Sequence, residues 1–202
     1  MPLPLFDPPA LPEGFLYRPD FVDAGEEEDL VGLIRGLSFQ EVRMHGVVAR
    51  RRIVQFGWRY HFDRRGLDGG EPLPRWLDPL QDRAAVLAGL MPKQLSEVLV
   101  TEYTPGATIG WHRDAPPFGV VVGVSLHAAC RMRFRRGDGA TQERAECQLD
   151  PRSAYVLQGP ARSEWQHSIP AVTRLRYSIT FRTLKSPRAV AQRLQAHSSG
   201  DQ

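Results

Sequence analysis

Lysine is almost missing from this chain. Of its 26 basic residues only Lys93 and Lys185 are lysines; the others are arginines. Cysteine is scarce too, with Cys130 and Cys147 alone. Two cysteines exclude a disulfide-stapled scaffold and suit a reducing compartment. Neither has a second cysteine at zinc-finger spacing, so a structural zinc of that type is also excluded. Long apolar runs are lacking. The longest, Phe118 to Cys130, is too short and too interrupted to span a bilayer. The first fourteen residues show no basic region followed by an apolar run, so no signal peptide is expected. These absences predict a soluble, cytoplasmic, monomeric protein with no membrane partner.

What is present fits one globular domain. The chain has 202 residues, 42% hydrophobic and 24% charged, with a formal net charge of +3. The arginines cluster at Arg50 to Arg52, at Arg64 and Arg65, and at Arg131, Arg133, Arg135 and Arg136. A guanidinium grips phosphate as a fork, so such clusters suit a polyphosphate partner. The alternative is a set of solvated faces in a chain whose codons favour arginine.

Helical periodicity runs over 23–37, with Asp23 as N-cap and Leu30, Leu33, Ile34 and Leu37 as the apolar stripe. A second helix is predicted over 76–90. Between them, 51–62 reads as a strand, followed by a loop containing Gly69-Gly70. From residue 95 short strands alternate with turn signals: 95–103, 119–126, 131–136, 143–149, 153–159 and 174–184. This order predicts a mainly β fold, a jelly roll with flanking helices. Residues 1–14 read as an extended arm, 15–185 as a single domain, and 186–202 as a tail.

The segment Trp111 to Gly119 raises a metal question. His112 and Asp114 are two apart and leave the same face of an extended chain. His167, after several predicted strands, is the candidate third ligand. Two histidines and a carboxylate make the facial triad of non-haem Fe(II) oxygenases, which leaves positions open for a co-substrate and O2. His45, His61, His127 and His197 lack such companions and read as surface or satisfied core histidines.

A second signal lies in Arg176 to Arg182. In a strand Arg176, Ser178, Thr180 and Arg182 share one face, while Leu175, Tyr177, Ile179 and Phe181 share the other. The two guanidiniums then stand about 20 Å apart along the strand. An inward arginine needs an anionic partner, and a dicarboxylate such as 2-oxoglutarate would supply one. Arg182 would lie toward the metal end or brace the site. The alternative is an edge strand with one solvated face. Tyr103 precedes His112 with a Pro105-Gly106 turn between, which can return its hydroxyl to the same pocket.

The ordered set Y-x-P-G, H-x-D, S-L, H-x-I and R-x-S-x-T-x-R resembles the AlkB family of Fe(II)/2-oxoglutarate-dependent dioxygenases. The match is strong over residues 97–184 and loose over 15–75. It implies a double-stranded β-helix core over 95–184, with Fe(II) on His112, Asp114 and His167. It implies 2-oxoglutarate on Tyr103, Arg176 and Arg182, with Arg176 on the distal carboxylate. Thr101 and Ser178 stand where several members carry asparagine, and both can still hydrogen-bond a carboxylate. The implied reaction consumes O2, converts 2-oxoglutarate to succinate and CO2, and oxidises an N-methyl group that is then lost as formaldehyde. Pro116 stands where the best-known bacterial repair enzyme has an aspartate touching the target base, which opens the question of substrate.

A base inside a duplex is out of reach, so the substrate must be flipped or single-stranded. Residues 49–65 combine aromatics with arginines, as base stacking and phosphate contact require. The family builds its nucleotide-recognition lid there, here about 39–75. Trp58, Tyr60 and Phe62 alternate on one strand face, and Arg51 lies in the adjoining arginine run. The alternative is that the aromatics pack a core. Trp111 and Trp165 flank the metal candidates and are expected to wall the pocket. Three functions follow: demethylation of N-alkylated bases in DNA or RNA (alkylation repair or tRNA modification), oxidation of a protein side chain or small molecule, or a catalytically silent binding module.

Overall fold

The computed structural model describes residues 10–44, 47–61 and 66–185. Most of the N-terminal arm, His45, Phe62, Arg64, Arg65, and the tail with His197 lie outside the described residues.

Twelve strands and three α-helices are present among them. The strands are β1 (Phe15–Arg18), β2 (Gln40–Met44), β3 (Val47–His61), β4 (Gly66–Gly69), β5 (Leu95–Tyr103), β6 (Ile109–His112), β7 (Phe118–Leu126), β8 (Cys130–Arg136), β9 (Glu143–Leu149), β10 (Ser153–Leu157), β11 (Gln166–Ile169) and β12 (Arg176–Leu184). The helices are α1 (Ala24–Arg35), α2 (Asp78–Leu87) and α3 (Gly159–Ser163). The major sheet runs β1-β10-β7-β12-β5-β3-β2, with β4 paired to β3. The minor sheet runs β6-β11-β8-β9. Strands β5 to β12 are divided between two facing sheets, as a jelly roll requires, and the predicted mainly β class holds.

Each sheet face has its own reason to be buried. One face of the major sheet carries Val98, Val100, Val122, Val124, Ile179 and Phe181, which pack with Leu30, Val31 and Ile34 of α1 and Leu80, Ala84 and Ala85 of α2. The other face meets the minor sheet through Tyr103, Val121, Tyr155 and Leu157 against Met132, Phe134 and Leu149. β12 lies between β7 and β5, so it is a central strand buried on both faces and not an edge. That position forces Arg176 inward.

The helices follow their caps. The Asp23 side chain accepts a hydrogen bond from the Glu26 N–H at 2.8 Å and starts α1. α2 stops at Leu87, three residues short of the expected end, because Gly89 turns the chain with φ +67°. The expected Gly159-Pro160 turn is the start of α3, and the expected loop at Gly69 ends β4. No helix among the described residues is long and apolar enough to cross a membrane.

β3 changes sheets at Gly57, whose φ is +75°. Before it the strand pairs with β5; after it, with β4. An added Cβ there would sit 2.1 Å from the Ser96 carbonyl oxygen, so only glycine fits the bend. The resulting β3–β4 ribbon carries Trp58 and Tyr60, both half-buried.

Gly123 is constrained by space instead. Tyr155 lies opposite it on β10, and a Cβ at 123 would approach the Tyr155 ring to 2.2 Å. Gly123→Ala should therefore cost about 1–3 kcal/mol through overpacking. Tyr155→Leu in the same chain should restore much of the loss. Thermal melts of the single and double variants check this, and additive effects would rule out the contact as the cause.

Candidate active site

His112 ends β6 and His167 lies in β11, where they are direct antiparallel partners. Facing pairs share a sheet face, so both imidazoles point between the sheets. Their ring centroids are 4.3 Å apart. Asp114 follows two residues after His112. One ligand atom from each of His112, Asp114 and His167 lies within 4.8 Å of the others. The Nδ1 of His112 is 3.0 Å from the Gly110 carbonyl oxygen. A carbonyl only accepts, so this bond puts the proton on Nδ1 and leaves the Nε2 lone pair free for a metal.

The electrostatics suit a cation. Burial, followed by His112, pushes the His167 imidazole down to about 3, so it is neutral at physiological pH. Burial pushes the Asp114 carboxyl up, but Arg182 and the two histidines outweigh it and hold the carboxyl well below its usual range. His167 and Asp114 thus carry no proton that a metal would have to displace.

Arg182 organises the carboxylate. Its Nε donates to Asp114 Oδ1 at 2.9 Å, with Nη2 in ion-pair contact with the same oxygen at 2.8 Å, and its Nη1 donates to both Glu97 oxygens at 3.1 and 2.8 Å. Asp114 Oδ2 is left facing His167 Nε2 at 3.6 Å. Glu97 is fully buried, with Gln55 donating to its Oε1 at 3.0 Å. Burial raises the Glu97 carboxyl, and Arg182 opposes the rise.

Arg162 fixes the loop after Asp114. Its Nη2 donates to the carbonyl oxygens of Asp114, Ala115 and Phe118 at 3.2, 2.9 and 2.7 Å. The short helix α3 delivers this side chain.

At the other end of β12, Arg176 pairs across the ladder with Tyr103, and its guanidinium carbon is 4.7 Å from the Tyr103 ring centre. Arg176 is 1% exposed. Its Nη2 donates to Ser125 Oγ at 3.1 Å, while its Nε and Nη1 have no hydrogen-bond partner.

A family model described as the 2OG-Fe(II) oxygenase superfamily matches residues 39–182. The chain belongs to that superfamily. Among curated proteins, it is 28% identical over 196 residues to an Arabidopsis thaliana protein named "Alkylated DNA repair protein ALKBH8 homolog", with 84% of this chain and 54% of that protein covered. It is 26% identical over 171 residues to the Mus musculus "tRNA (carboxymethyluridine(34)-5-O)-methyltransferase ALKBH8", with 79% of this chain and 24% of that protein covered. The chain therefore spans about half of the first relative and a quarter of the second. The solved structure of OsALKBH1 superposes with a TM-score of 0.68 at 15% identity, covering 90% of this chain and all of that one. A 2OG-Fe(II) oxygenase family oxidoreductase from Burkholderia pseudomallei gives 0.61 at 16% identity, with 86% of each chain covered. Membership of that superfamily makes the protein a dioxygenase that uses Fe(II), 2-oxoglutarate and O2, and within it the chain is similar to AlkB-type proteins.

The residues of this oxygenase fit that cofactor set. A buried guanidinium with two unpartnered nitrogens and no carboxylate beside it is a costly arrangement that a ligand carboxylate would relieve. Thr101 and Ser178 are direct ladder partners between Arg176 and Arg182, with Ser125 on the other side of Ser178, so three hydroxyl-bearing residues share that face. Arg51 faces the same way one strand beyond Tyr103, and donates to the Thr108 carbonyl oxygen at 3.3 Å.

Two tryptophans depart from expectation. Trp165 is 5% exposed and packs in the core between the sheets, with Arg136 over its ring, instead of walling the pocket. Trp111 precedes an inward-pointing histidine, so strand alternation turns it outward, where it is 36% exposed beneath Arg135. Sequence reasoning also missed Glu97 and Arg162. Glu97 had a signal: it precedes Tyr103 by six residues, just as Arg176 precedes Arg182, so pairing Tyr103 with Arg176 brings Glu97 to Arg182.

Proposed function

We propose that this oxygenase removes N-linked methyl groups from bases in DNA or RNA, working as a single domain over 15–185. His112, Asp114 and His167 hold the iron, and the observation that carries this is the convergence of their ligand atoms on one point. Arg176 takes the distal carboxylate of 2-oxoglutarate beside Tyr103. Thr101, Ser178 and Arg182 line the rest of its seat. When bound, the iron and co-substrate supply the oxidation: 2-oxoglutarate becomes succinate and CO2, and one oxygen atom of O2 enters the methyl carbon. The protein contributes position. Arg182 holds one oxygen of the Asp114 carboxylate, Arg162 holds its loop, and the Gly110 carbonyl fixes the His112 tautomer.

The names of the relatives, one in alkylated-DNA repair and one in tRNA modification, support a nucleic-acid substrate. The β3–β4 ribbon, with Trp58 and Tyr60 half-buried and Arg51 on the adjoining stretch, supports a lid for a base. A methyl group hydroxylated on a ring nitrogen falls away as formaldehyde without further help.

The test is mass spectrometry on matched DNA and RNA oligonucleotides carrying 1-methyladenine or 3-methylcytosine, with Fe(II), 2-oxoglutarate and ascorbate. The expected result is methyl loss that is absent in His112→Ala. Succinate formation with no methyl loss from any oligonucleotide would exclude base demethylation and favour a protein or small-molecule substrate. Methyl loss undiminished in His112→Ala would overturn the metal assignment.

A further inference from the structure

The minor sheet turns one face to the core and the other to solvent. On β8, Met132 and Phe134 are buried, so Arg131, Arg133 and Arg135 point outward. On β9, Ala145 is buried and Arg144 and Glu146 are exposed. Arg113, just after β6, is exposed beside them. Five arginines thus meet one carboxylate on the same strand face, Glu146; at the end of the row Asp138 and Glu164 line a cavity with Arg113 and Arg135, and Glu164 is paired to Arg136.

Their partners are mostly neutral. Arg131 approaches Glu146 at 3.7 Å, with both side chains about half exposed. Arg135 donates to Gln166 at 2.7 Å, Arg144 to Gln142 at 2.8 Å, and Arg113 to the Glu164 carbonyl oxygen at 3.1 Å. The Arg133 guanidinium makes no hydrogen bond or ion pair with any described residue, although Glu146 stands opposite it on the ladder. Arg135 and Arg144 are direct cross-strand partners. Two like charges facing each other destabilise a sheet unless an anion lies between them. Solvation alone explains one exposed arginine; it does not explain an array in which a facing pair repels.

We propose that this outward face is a docking surface for the phosphodiester backbone of single-stranded nucleic acid. Successive outward residues on β8 stand about 7 Å apart, so the guanidiniums form a row of evenly spaced anion sites. Trp111, exposed next to Arg135, offers an aromatic surface beside the row. Arg113 ties the row to the catalytic cluster, because it lies between His112 and Asp114 in the chain. A strand held here leads directly to the rim of the site. The proposal rests on the reading of the protein as a nucleic-acid oxygenase and adds where the chain outside the target base is gripped.

The test is fluorescence anisotropy with labelled oligothymidylate, measured across a salt series. Arg133→Glu/Arg144→Glu should weaken binding at low salt by about tenfold or more. It should also flatten the plot of log K against log salt by about 1.4, the contribution of two single-strand phosphates. Arg35→Glu/Arg75→Glu, on exposed arginines of the helical side, makes the same change in net charge and should leave the slope near wild type. Arg144→Glu turns a repulsive pair into an attractive one, whereas Arg133→Glu sets a carboxylate opposite Glu146, so the two changes oppose each other in the melting temperature of the double variant and melts of the single variants separate them. Arg133→Gln/Arg144→Gln gives a second measure that adds no acid. Equal weakening in the helical-side control, no binding by the wild type, or equal affinity for a duplex would each overturn the proposal. Methyl loss with binding insensitive to these arginines would reject the surface alone. Arginine-dependent binding without methyl loss would reject the demethylase reading alone.

Discussion

Arg182→Met should lower the melting temperature by on the order of 10 °C. The substitution strands Glu97 and Asp114, two carboxylates that share one guanidinium in a nearly dry setting. Breaking a buried ion pair from one side costs about 3–5 kcal/mol, because the remaining charge has lost its solvent and its partner. For a domain of this size each kcal/mol moves the midpoint by roughly 2–4 °C. Glu97→Gln added to Arg182→Met should recover part of the loss. A shift of less than a couple of degrees in the single variant would mean that the network contributes nothing to stability. Metal retention is the second readout: the variant should bind Fe(II) or Mn(II) more weakly, since nothing then holds Asp114 Oδ1.

Arg176→Met should do the opposite to stability. The two arginines occupy one face of one strand, six residues apart, but Arg176 has no carboxylate beside it. Replacing an unpaired buried charge by an apolar side chain of similar length removes a desolvation cost. Without ligand the variant should melt at the wild-type temperature or above. Its affinity for 2-oxoglutarate, measured calorimetrically with Mn(II) in place of iron, should fall by roughly 30-fold or more, as expected for about 2 kcal/mol or more lost from a buried charge pair. A large stability loss with unchanged co-substrate affinity would show Arg176 to be a structural residue. The contrast between the pair is the sharper test, because a general packing role would move both variants in the same direction.

Much of this was legible in the sequence where a strand is long and buried. β5 and β9 have the bounds that alternation and turn signals predict, and β7, β8 and β12 differ by one or two residues. Of the missed strands, β1, β4, β6 and β11 have four residues each and β2 has five. Four residues show too little alternation to read, and β6 and β11 spend a position on a histidine that serves the site instead of the core. The convergence of His112, Asp114 and His167 was readable because two of them lie two residues apart in the chain. Arg162 was not readable at all. It acts on carbonyl oxygens far from it in sequence, and no residue type marks a backbone acceptor. The outward turn of Trp111 was available from parity alone, once His112 was taken to point inward.

The Arg162 anchor has a consequence for how such a protein can change over time. It holds the loop by oxygen atoms that every amino acid carries, so it is indifferent to the side chains at positions 115 to 118. Pro116 is exposed within that stretch. A residue there can be exchanged, and with it the contact offered to an incoming molecule, while the neighbouring aspartate stays where it is. On the proposed function, the preference for one target and the grip on the metal are thus heritable separately, and a lineage can explore the first without risking the second.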